Sequence, residues 1–316
     1  MKGLLKISKW LSISIAVILL TGCIAERFIQ TNLEKKYQPA AENFVTINGN
    51  KIHFEKRGTS GPTVVFQSGL GSDYRAWEAV QATLPDTLTS ISYDKAGLLW
   101  SEGKGTIRTL EYYADELTQL LEKTNCPKPY ILVGHSFAGV TLREFIRKNR
   151  ADIAGIVFVD VTHPDQMELC SAELLKSVTP PPRWLIASLT ETGMIRSMYS
   201  FTPFVPELPA DHWFNRHTTR FFHTCYETML DEAAADKLLF AQARKINSFD
   251  SIPLVILSAT QYSATRNLKP ALAEEYKSIH EKVQKDLLSL SSNSRQVFAT
   301  KSGHFIQLEE PELVID

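Results

Sequence analysis

The chain lacks the residue patterns that mark several common classes of protein. It has only four cysteines in 316 residues, and it has no Cys-x-x-Cys or His-x-x-x-His pair, the short spacings typical of zinc ligands. Its formal net charge is −1, so no overall positive field attracts it to nucleic acid. No Gly-x-Gly-x-x-Gly follows the first predicted strand, and no repeat or low-complexity block is present. These absences predict a protein without a metal or any other cofactor, and without a nucleic-acid partner.

The remaining composition is that of an ordinary globular protein. Hydrophobic residues make up 44% of the chain and charged residues 22%. A length of 316 residues is too great for a small peptide module and suits one large α/β domain that carries an insertion.

The one long apolar run lies at the N-terminus. A basic start with three lysines is followed by an apolar stretch over 11–20 and then by Leu20-Thr21-Gly22-Cys23. A basic region, a short apolar region and small residues at a cleavage site describe a secretory signal. The cysteine directly after them makes the segment resemble the lipobox of bacterial lipoproteins, which implies cleavage after residue 22 and lipidation of Cys23. An uncleaved anchor helix over 4–20 is the alternative, since about 17 residues is the lower limit for a membrane span.

Both interpretations place the folded part outside the cytoplasmic membrane, attached to a bacterial membrane by its N-terminus. No aspartate follows Cys23, where Ile24 stands instead, so the outer membrane is favoured if the host has one. The signal peptide is then 1–22, and the polar, charged residues 23–43 predict a tether.

The other cysteines leave two alternatives open. Cys170 and Cys225 fall within one predicted insertion, so they are the better candidates for a disulfide in an oxidising compartment. The alternative is that they and Cys126 remain buried thiols.

After residue 43 the sequence alternates between apolar strands and helical patterns. Short apolar runs bounded by Gly, Pro and Ser predict strands, and 109–124 repeats apolar residues at helical spacing. This alternation indicates an α/β fold with a mostly parallel central sheet and helices on both faces. The rhythm breaks over 163–248, which has no clear strand and which we predict to be a helical cap insertion. The core then comprises 44–162 and 249–316.

The most informative segment is Gly134-His135-Ser136-Phe137-Ala138-Gly139. It follows the apolar run 130–133 and precedes a helical pattern over 140–149. A serine on a sharp strand-to-helix turn is the arrangement of a nucleophile elbow, in which small flanking residues let the backbones approach closely. The helix N-terminus behind the serine favours developing negative charge. Ala138 stands where the usual Gly-x-Ser-x-Gly pattern has its second glycine, and alanine is tolerated there if its φ is negative.

A nucleophilic serine needs a base to take its proton and a carboxylate to orient that base. His304 lies in Gly303-His304-Phe305, just after the last predicted strand over 296–299, and therefore on a loop at the carboxyl edge of the sheet. The other seven histidines lie in the elbow, on an early hairpin, in or beside the cap, or on a helix, as His280 does. We therefore predict that His304 is the base.

These motifs make the chain resemble the α/β-hydrolase fold superfamily of the serine-nucleophile type, from about residue 44 to the end. Besides the elbow and His304, the resemblance rests on Ser68-Gly69-Leu70-Gly71, Tyr93-Asp94-Lys95-Ala96-Gly97 and Val159-Asp160. In that family the loop after the third strand supplies one backbone donor for the tetrahedral oxyanion. The resemblance therefore implies that the Leu70 and Phe137 amides form the oxyanion hole.

The acid of the triad is less plainly marked. Relatives usually place it after the strand that corresponds to 254–258, but here no carboxylate follows that strand before Glu274. The alternative family position is the end of the preceding strand, where Asp160 closes 156–159. We predict that Asp160 is the acid; Asp165 is a second candidate, and a serine–histidine dyad is left if neither serves.

Together these features predict a serine hydrolase of the carboxylesterase type, which cleaves a small-molecule ester through an acyl-enzyme. The alternatives are amide or peptide hydrolysis by the same triad, and a non-catalytic binding lipoprotein that keeps the fold. Epoxide hydrolysis and dehalogenation are not expected, because similar folds use aspartate for them where Ser136 stands.

Overall fold

The computed structural model describes residues 2–103, 105, 108–262 and 265–316. The strands are β1 (Phe44–Ile47), β2 (Asn50–Arg57), β3 (Thr63–Gln67), β4 (Thr89–Tyr93), β5 (Tyr130–His135), β6 (Ile153–Val159), β7 (Leu254–Ala259) and β8 (Ser294–Ala299). The α-helices in the described ranges are α1 (Lys2–Tyr37), α2 (Glu78–Thr83), α3 (Leu110–Lys123), α4 (Ala138–Thr141), α5 (Arg143–Lys148), α6 (Gln166–Leu169), α7 (Ala172–Val178), α8 (Arg183–Glu191), α9 (Met194–Phe201), α10 (Trp213–Ala234), α11 (Asp236–Ala243), α12 (Pro270–Asp286), α13 (Ile306–Glu309) and α14 (Glu312–Ile315).

The strands form one sheet in the order β1-β2-β4-β3-β5-β6-β7-β8. The pairs β1–β2 and β2–β4 are antiparallel, and every pair from β4 to β8 is parallel. This sheet confirms the predicted α/β fold. The last residues of β5 and β6 are neighbours, His135 beside Val159. The residues that directly follow them, Ser136 and Asp160, are therefore brought to the same carboxyl edge of the sheet, where open α/β sheets bind ligands.

Burial patterns explain why these segments become strands and helices. All five residues of β3 are buried, as expected for a parallel strand that is covered on both faces. Helix α3 buries the apolar residues that repeat at helical spacing, among them Leu110, Leu117 and Leu121. The Thr109 side chain caps this helix by accepting from the Tyr112 amide. The predicted hairpin is also present, since Asn48 and Gly49 between β1 and β2 have positive φ angles of 50° and 82°.

The chain divides into two compact units. One comprises Ala40–Thr179 and Glu227–Asp316 and contains the whole sheet; the other comprises Met1–Pro39 and Pro180–Tyr226. The predicted cap segment, 163–248, contains α6 to α11 and no strand, and the two units divide it after Thr179 and after Tyr226.

Much of the segment 23–43, which we predicted to be a tether, is helical in the structure, because α1 continues through Tyr37. Glu26 is buried on this helix and forms an ion pair with Arg196 on α9, with Oε1 and Nη2 2.6 Å apart. Near the helix end, Glu34 pairs with His223 of α10 at 3.2 Å. These two contacts are made by charged side chains, and for this reason the segment looks like a solvated linker in the sequence.

The N-terminal helix is apolar and exposed before these contacts begin. Residues 6–37 form the one described helix long and apolar enough to cross a membrane by length and composition, and residues 6–20 are all exposed. This is compatible with a signal or a membrane anchor. No disulfide is present among the described residues, so Cys170 and Cys225 do not form one.

Candidate active site

Ser136 lies on the turn between β5 and α4. Its φ is 54°, in the left-handed region that is strained for a residue with a side chain. Two backbone hydrogen bonds hold this conformation: the Ser136 amide donates to the Val159 carbonyl (3.2 Å), and the Ser136 carbonyl accepts from the Thr162 amide (2.8 Å). The strain is thus maintained by bonds to the chain that leaves β6, and the turn presents the Ser136 side chain at the carboxyl edge of the sheet.

The glycines of the elbow are required by close packing. A Cβ on Gly139 would lie 2.5 Å from Cβ of Val161, and a Cβ on Gly134 would lie 2.9 Å from Cβ of Ala138. Ala138 itself is the first residue of α4 and is not among the residues with positive φ. Alanine is therefore tolerated at the position where the usual pattern has glycine, and the space that its methyl group needs is provided by Gly134.

Three side chains that are far apart in the sequence form one line of hydrogen bonds. His304 Nε2 lies 3.0 Å from Ser136 Oγ, and His304 Nδ1 lies 2.7 Å from Asp160 Oδ2. The carboxylate can only accept, so Nδ1 carries the proton and Nε2 accepts from the serine hydroxyl. This is the tautomer that a general base requires.

Asp160 directly follows β6 and has a φ of 44°. It is buried, and its carboxylate accepts from His304 on Oδ2 and from the Ala259 amide (3.0 Å) and His280 on Oδ1. Burial by itself would raise the pKa of Asp160, but the hydrogen bonds from His280 and His304 outweigh it and hold the pKa far below its usual range. The Asp160 carboxylate is thus ionised beside His304 at neutral pH.

His280 on α12 is a site residue that the sequence analysis missed. Its Nε2 donates to Asp160 Oδ1 at 2.9 Å, and its ring packs against those of Tyr262 and Tyr276. Burial would lower the pKa of His280, and the Asp160 carboxylate more than offsets this, so the pKa is raised. The available signal was its spacing on α12, because His280 lies eight residues after Leu272 and three before Val283, on the buried face of an amphipathic helix.

His135, inside the elbow, helps to orient His304 through a bond to its backbone. Its Nε2 donates to the His304 carbonyl at 2.8 Å, and the two rings lie 4.6 Å apart. Burial lowers the pKa of His135 to about 3, so the ring is neutral at physiological pH. The side chain bonds to the backbone of the loop that carries His304 and so helps to hold that loop in place.

The loop after β3 passes directly beside Ser136. A Cβ on Gly69 would lie 2.8 Å from Cβ and 3.3 Å from Oγ of Ser136, so only glycine permits this approach. Leu70 follows in the loop, and Phe137 follows Ser136 in the elbow and is buried. The two residues expected to supply backbone donors therefore flank the serine from different segments.

The remaining predicted residues lie elsewhere. Asp165, the second candidate for the acid, pairs with Arg244 at 2.6 Å instead. Asp94 is buried and joins separate segments, accepting from His53 Nδ1 on β2 (2.8 Å) and from the Tyr74 amide (2.9 Å). Among the described residues, no group of three His, Cys, Asp or Glu side chains is arranged to hold a metal ion.

Comparison with known proteins places this geometry in a family. The model of the alpha/beta hydrolase family matches residues 64–316. The uncharacterized protein YqjL of Bacillus subtilis (strain 168) is 28% identical over 276 residues, which cover 86% of this chain and 88% of that protein. An AB hydrolase superfamily protein of Gibberella zeae is 27% identical over 286 residues, which cover 80% of this chain and 84% of that protein.

Solved structures share the fold at low sequence identity. The Cif epoxide hydrolase from Acinetobacter nosocomialis has a TM-score of 0.64 at 16% identity, with 93% of this chain and 94% of that chain covered. A thermophilic esterase from Thermogutta terrifontis has a TM-score of 0.56 at 21% identity, with 86% and 93% covered. Est816, an N-acyl homoserine lactone degrading enzyme, has a TM-score of 0.61 at 15% identity, with 86% and 97% covered. Because the family model spans the sheet from β3 to the end together with Ser136, Asp160 and His304, this chain belongs to the alpha/beta hydrolase family.

Proposed function

We propose that this protein is a serine hydrolase that cleaves carboxylic esters through an acyl-enzyme intermediate. One observation carries the proposal: Ser136 Oγ, the His304 ring and the Asp160 carboxylate form an unbroken line of hydrogen bonds of 3.0 and 2.7 Å. His304 Nε2 faces the hydroxyl and carries no proton, so it can accept one. His304 Nδ1 is bonded to the buried Asp160 carboxylate. That arrangement raises the nucleophilicity of a serine hydroxyl.

In the proposed reaction, Ser136 Oγ attacks the ester carbonyl carbon while His304 Nε2 takes the hydroxyl proton. Asp160 stabilises the imidazolium that forms and keeps its ring in place. His304 then gives the proton to the departing alkoxide oxygen, and the alcohol leaves. Water attacks the remaining acyl group with His304 again as the base, and this second step releases the carboxylic acid and restores Ser136.

The tetrahedral oxyanion is proposed to be bound by the backbone amides of Leu70 and Phe137. Phe137 precedes the N-terminus of α4, and Leu70 is joined to Gly69, whose backbone approaches Ser136 closely. Each donor of this kind stabilises the transition state by about 2.7–4 kcal/mol in comparable sites.

The identity of the nucleophile favours acyl transfer over epoxide opening. The fold is shared with an epoxide hydrolase, an esterase and a lactone-degrading enzyme, so the fold does not choose among these reactions. A serine oxygen that opened an epoxide would be left as an ether, which water does not readily cleave. A serine oxygen that attacks an ester or lactone is left as an acyl ester, which water does cleave.

Turnover of p-nitrophenyl esters by the wild type and by Ser136→Ala tests the proposal. We expect kcat to fall by roughly 10⁶-fold in the variant, because the triad acts as a unit. Ser289→Ala, which removes an exposed hydroxyl, is the matched control and retains full activity. Equal rates for the wild type and Ser136→Ala would contradict the proposal and favour a non-catalytic binding protein. A parallel panel of p-nitroanilides separates ester from amide hydrolysis by the same triad.

We also propose that the protein is lipid-anchored through Cys23 to the outside of a bacterial membrane. Support comes from Leu20-Thr21-Gly22-Cys23 and from the exposed apolar residues over 6–20. Lipidation would join the acyl chains to a helix segment that is packed against α9 through Glu26. The intact mass of protein extracted from bacterial membranes tests this: a lipidated chain beginning at Cys23 is expected, and a chain that still begins at Met1 would contradict it. Cys23→Ala is expected to retain the uncleaved N-terminal segment.

A further inference from the structure

A buried ion pair lies beneath the loop that carries Leu70. Lys95 follows β4, and Glu232 lies on the last part of α10; their side chains are 1% and 0% exposed. Lys95 Nζ is 2.7 Å from Glu232 Oε1, which also accepts from the Tyr113 hydroxyl at 2.8 Å. The ion pair is not part of the triad, and the proposed reaction described above assigns it no role.

Each partner of the pair also bonds to the backbone of the loop, one on either side of Leu70. Lys95 Nζ donates to the Gly69 carbonyl at 3.1 Å, and Glu232 Oε2 accepts from the Gly71 amide at 3.1 Å. The Gly69 carbonyl and the Leu70 amide belong to the same peptide group, and in a trans peptide they point in opposite directions. A bond that fixes the carbonyl toward Lys95 therefore fixes the Leu70 N–H away from Lys95.

The bond to Glu232 fixes the next peptide group. The two peptide groups on either side of Leu70 are therefore each bonded to a charged side chain. Gly71 has a φ of 60°, and a Cβ there would lie 2.6 Å from Cβ of Met229 on α10. The loop is thus bonded to two charged side chains and packed against α10, which carries both Glu232 and Met229.

The ammonium also lies near the ring of Phe137, the residue whose backbone amide is the other proposed donor. Lys95 Nζ lies 5.9 Å from the centre of the Phe137 ring and 5.7 Å from that of Tyr113. The ion pair therefore forms hydrogen bonds with the loop that carries Leu70. Its Lys95 ammonium also lies near the ring of Phe137, the residue after Ser136. Burying two charges is costly and is often no better for stability than apolar packing, so their use here calls for a specific task.

We infer that Lys95 and Glu232 are positioning residues that aim the Leu70 amide into the oxyanion hole by clamping the peptide groups on both sides of it. Lys95 also polarises the Gly69–Leu70 peptide, because a cation at the carbonyl oxygen draws electron density from the N–H and makes it a stronger donor. This inference rests on the proposed serine hydrolase function, since the Leu70 amide matters only if an oxyanion forms.

Glu232→Gln tests the clamp, because a carboxamide cannot accept from Gly71, Tyr113 and Lys95 at once. We expect kcat for p-nitrophenyl acetate to fall about 10²- to 10³-fold, the effect of losing one oxyanion donor, with KM changed less than about threefold. Hydrogen exchange of the backbone amides over 69–72 is expected to become roughly tenfold faster. Lys95→Met is expected to show the same separation of kcat from KM.

The double variant Lys95→Met/Glu232→Gln separates positioning from stability. It leaves neither charge buried without its partner, so its thermal stability is expected to recover relative to either single variant. Its kcat is expected to stay as low as theirs, because the loop remains unclamped. Recovery of kcat together with stability would overturn the inference.

Glu116→Gln is the matched control. Glu116 is a buried carboxylate of α3 that accepts from the Ala96 amide at 3.2 Å and does not bond to the 69–72 loop. It is expected to leave kcat within about threefold of the wild type, in contrast to the loss of an oxyanion donor. Exchange over 69–72 that is unchanged in Glu232→Gln, or a kcat loss no larger than in Glu116→Gln, would overturn the clamp. A wild type without Ser136-dependent turnover would instead overturn the proposed function, and the exchange rates would still show whether the pair holds the loop.

Discussion

At the scale of single residues, three imidazoles serve different purposes because their surroundings differ. His304 faces the nucleophile, His280 donates to the far oxygen of Asp160, and His135 holds the His304 backbone. Asp160 connects two of them and lies at the end of β6, although relatives usually carry the acid after the next strand. The bond from His280 and the Ala259 amide to Oδ1 leaves Oδ2 directed at His304, so the carboxylate is fixed in orientation as well as in charge.

The two candidate acids can be separated by matched substitutions. Asp160→Asn is expected to lower kcat by about 10⁴-fold, since the amide cannot stabilise the imidazolium and favours the wrong tautomer of His304. Asp165→Asn breaks an ion pair with Arg244 and is expected to leave kcat unchanged. Steady-state kinetics on a p-nitrophenyl ester gives both values. A loss confined to Asp165→Asn would show that the acid is misassigned, and no loss in either would indicate a dyad.

We expect the free energy of unfolding to depend on pH through His135. Burial lowers its pKa to about 3 in the folded protein, against about 6.5 when unfolded, so the unfolded chain binds more protons between these values. The stability from the neutral ring is fully present above pH 6.5 and is lost as the pH falls toward 3. From this residue alone, the free energy of unfolding is expected to fall by about 2 kcal/mol between pH 7 and pH 5.

Denaturant unfolding of the wild type and His135→Gln at the two pH values measures this contribution. Glutamine can still donate to the His304 carbonyl but does not titrate. The variant is expected to lose about 2 kcal/mol less than the wild type on acidification. Equal losses would show that His135 does not contribute.

At the scale of elements, the site is assembled from the ends of neighbouring strands and from the loop after β8. The first two positions follow from the register of β5 and β6, which places Ser136 beside Asp160. The third depends on the C-terminal segment. Glu310 Oε2 accepts from the Lys301 amide (2.9 Å) and the Ser302 hydroxyl (2.6 Å), and Glu309 accepts from the Gly303 amide (3.1 Å).

Glu310→Ala is expected to lower kcat by about 10²-fold, because a shift of the His304 loop by about 1 Å breaks the alignment with Ser136. The folded core is expected to persist, since Glu310 bonds to a loop rather than to the sheet. Glu312→Ala, an exposed carboxylate of α14, is the control and is expected to retain full activity. Equal kcat values for Glu310→Ala and the wild type would show that the loop is held by other contacts.

The sequence was sufficient for the parts of the site that depend on local pattern. The elbow at Ser136 is marked by sequence signals for a strand, a turn and a helix. The apolar run 156–159 predicts a buried strand, and the charged residue Asp160 marks its end. His280 could not be assigned in this way, because it is 120 residues from Asp160 in the chain and its role follows only from how α12 packs on the sheet. The ion pair of Lys95 and Glu232 could not be inferred from the sequence for the same reason, since it joins residues 137 positions apart.

At the scale of the whole molecule, the N-terminal helix was the main difference from expectation. Residues 23–37 read as a polar tether because several of their contacts in the unit of Met1–Pro39 and Pro180–Tyr226 are made by charged side chains. Glu26 and Arg196 form a bidentate pair, and Gln30 donates to Glu26 at 3.0 Å. Polar composition alone does not distinguish a solvated linker from a helix that is fixed by ion pairs.

Glu26→Ala tests whether this pair fixes the helix. The variant leaves the Arg196 guanidinium without its carboxylate, so residues 27–37 are expected to detach more often and to be cleaved faster by trypsin at the lysines near Tyr37. Glu42→Ala, an exposed position beyond the helix, is expected to be cleaved at the wild-type rate. Equal cleavage of Glu26→Ala and the wild type would show that α1 is held without the ion pair.

The proposed reaction requires that His304 and Asp160 activate Ser136 as a nucleophile toward acyl groups. Mass spectrometry after treatment with a fluorophosphonate tests it most directly, since the reagent phosphonylates an activated serine and leaves ordinary hydroxyls unmodified. One adduct per chain is expected, on the peptide that contains Ser136, and none in Ser136→Ala or His304→Ala. An unlabelled wild-type protein, or an adduct that persists in Ser136→Ala, would contradict it.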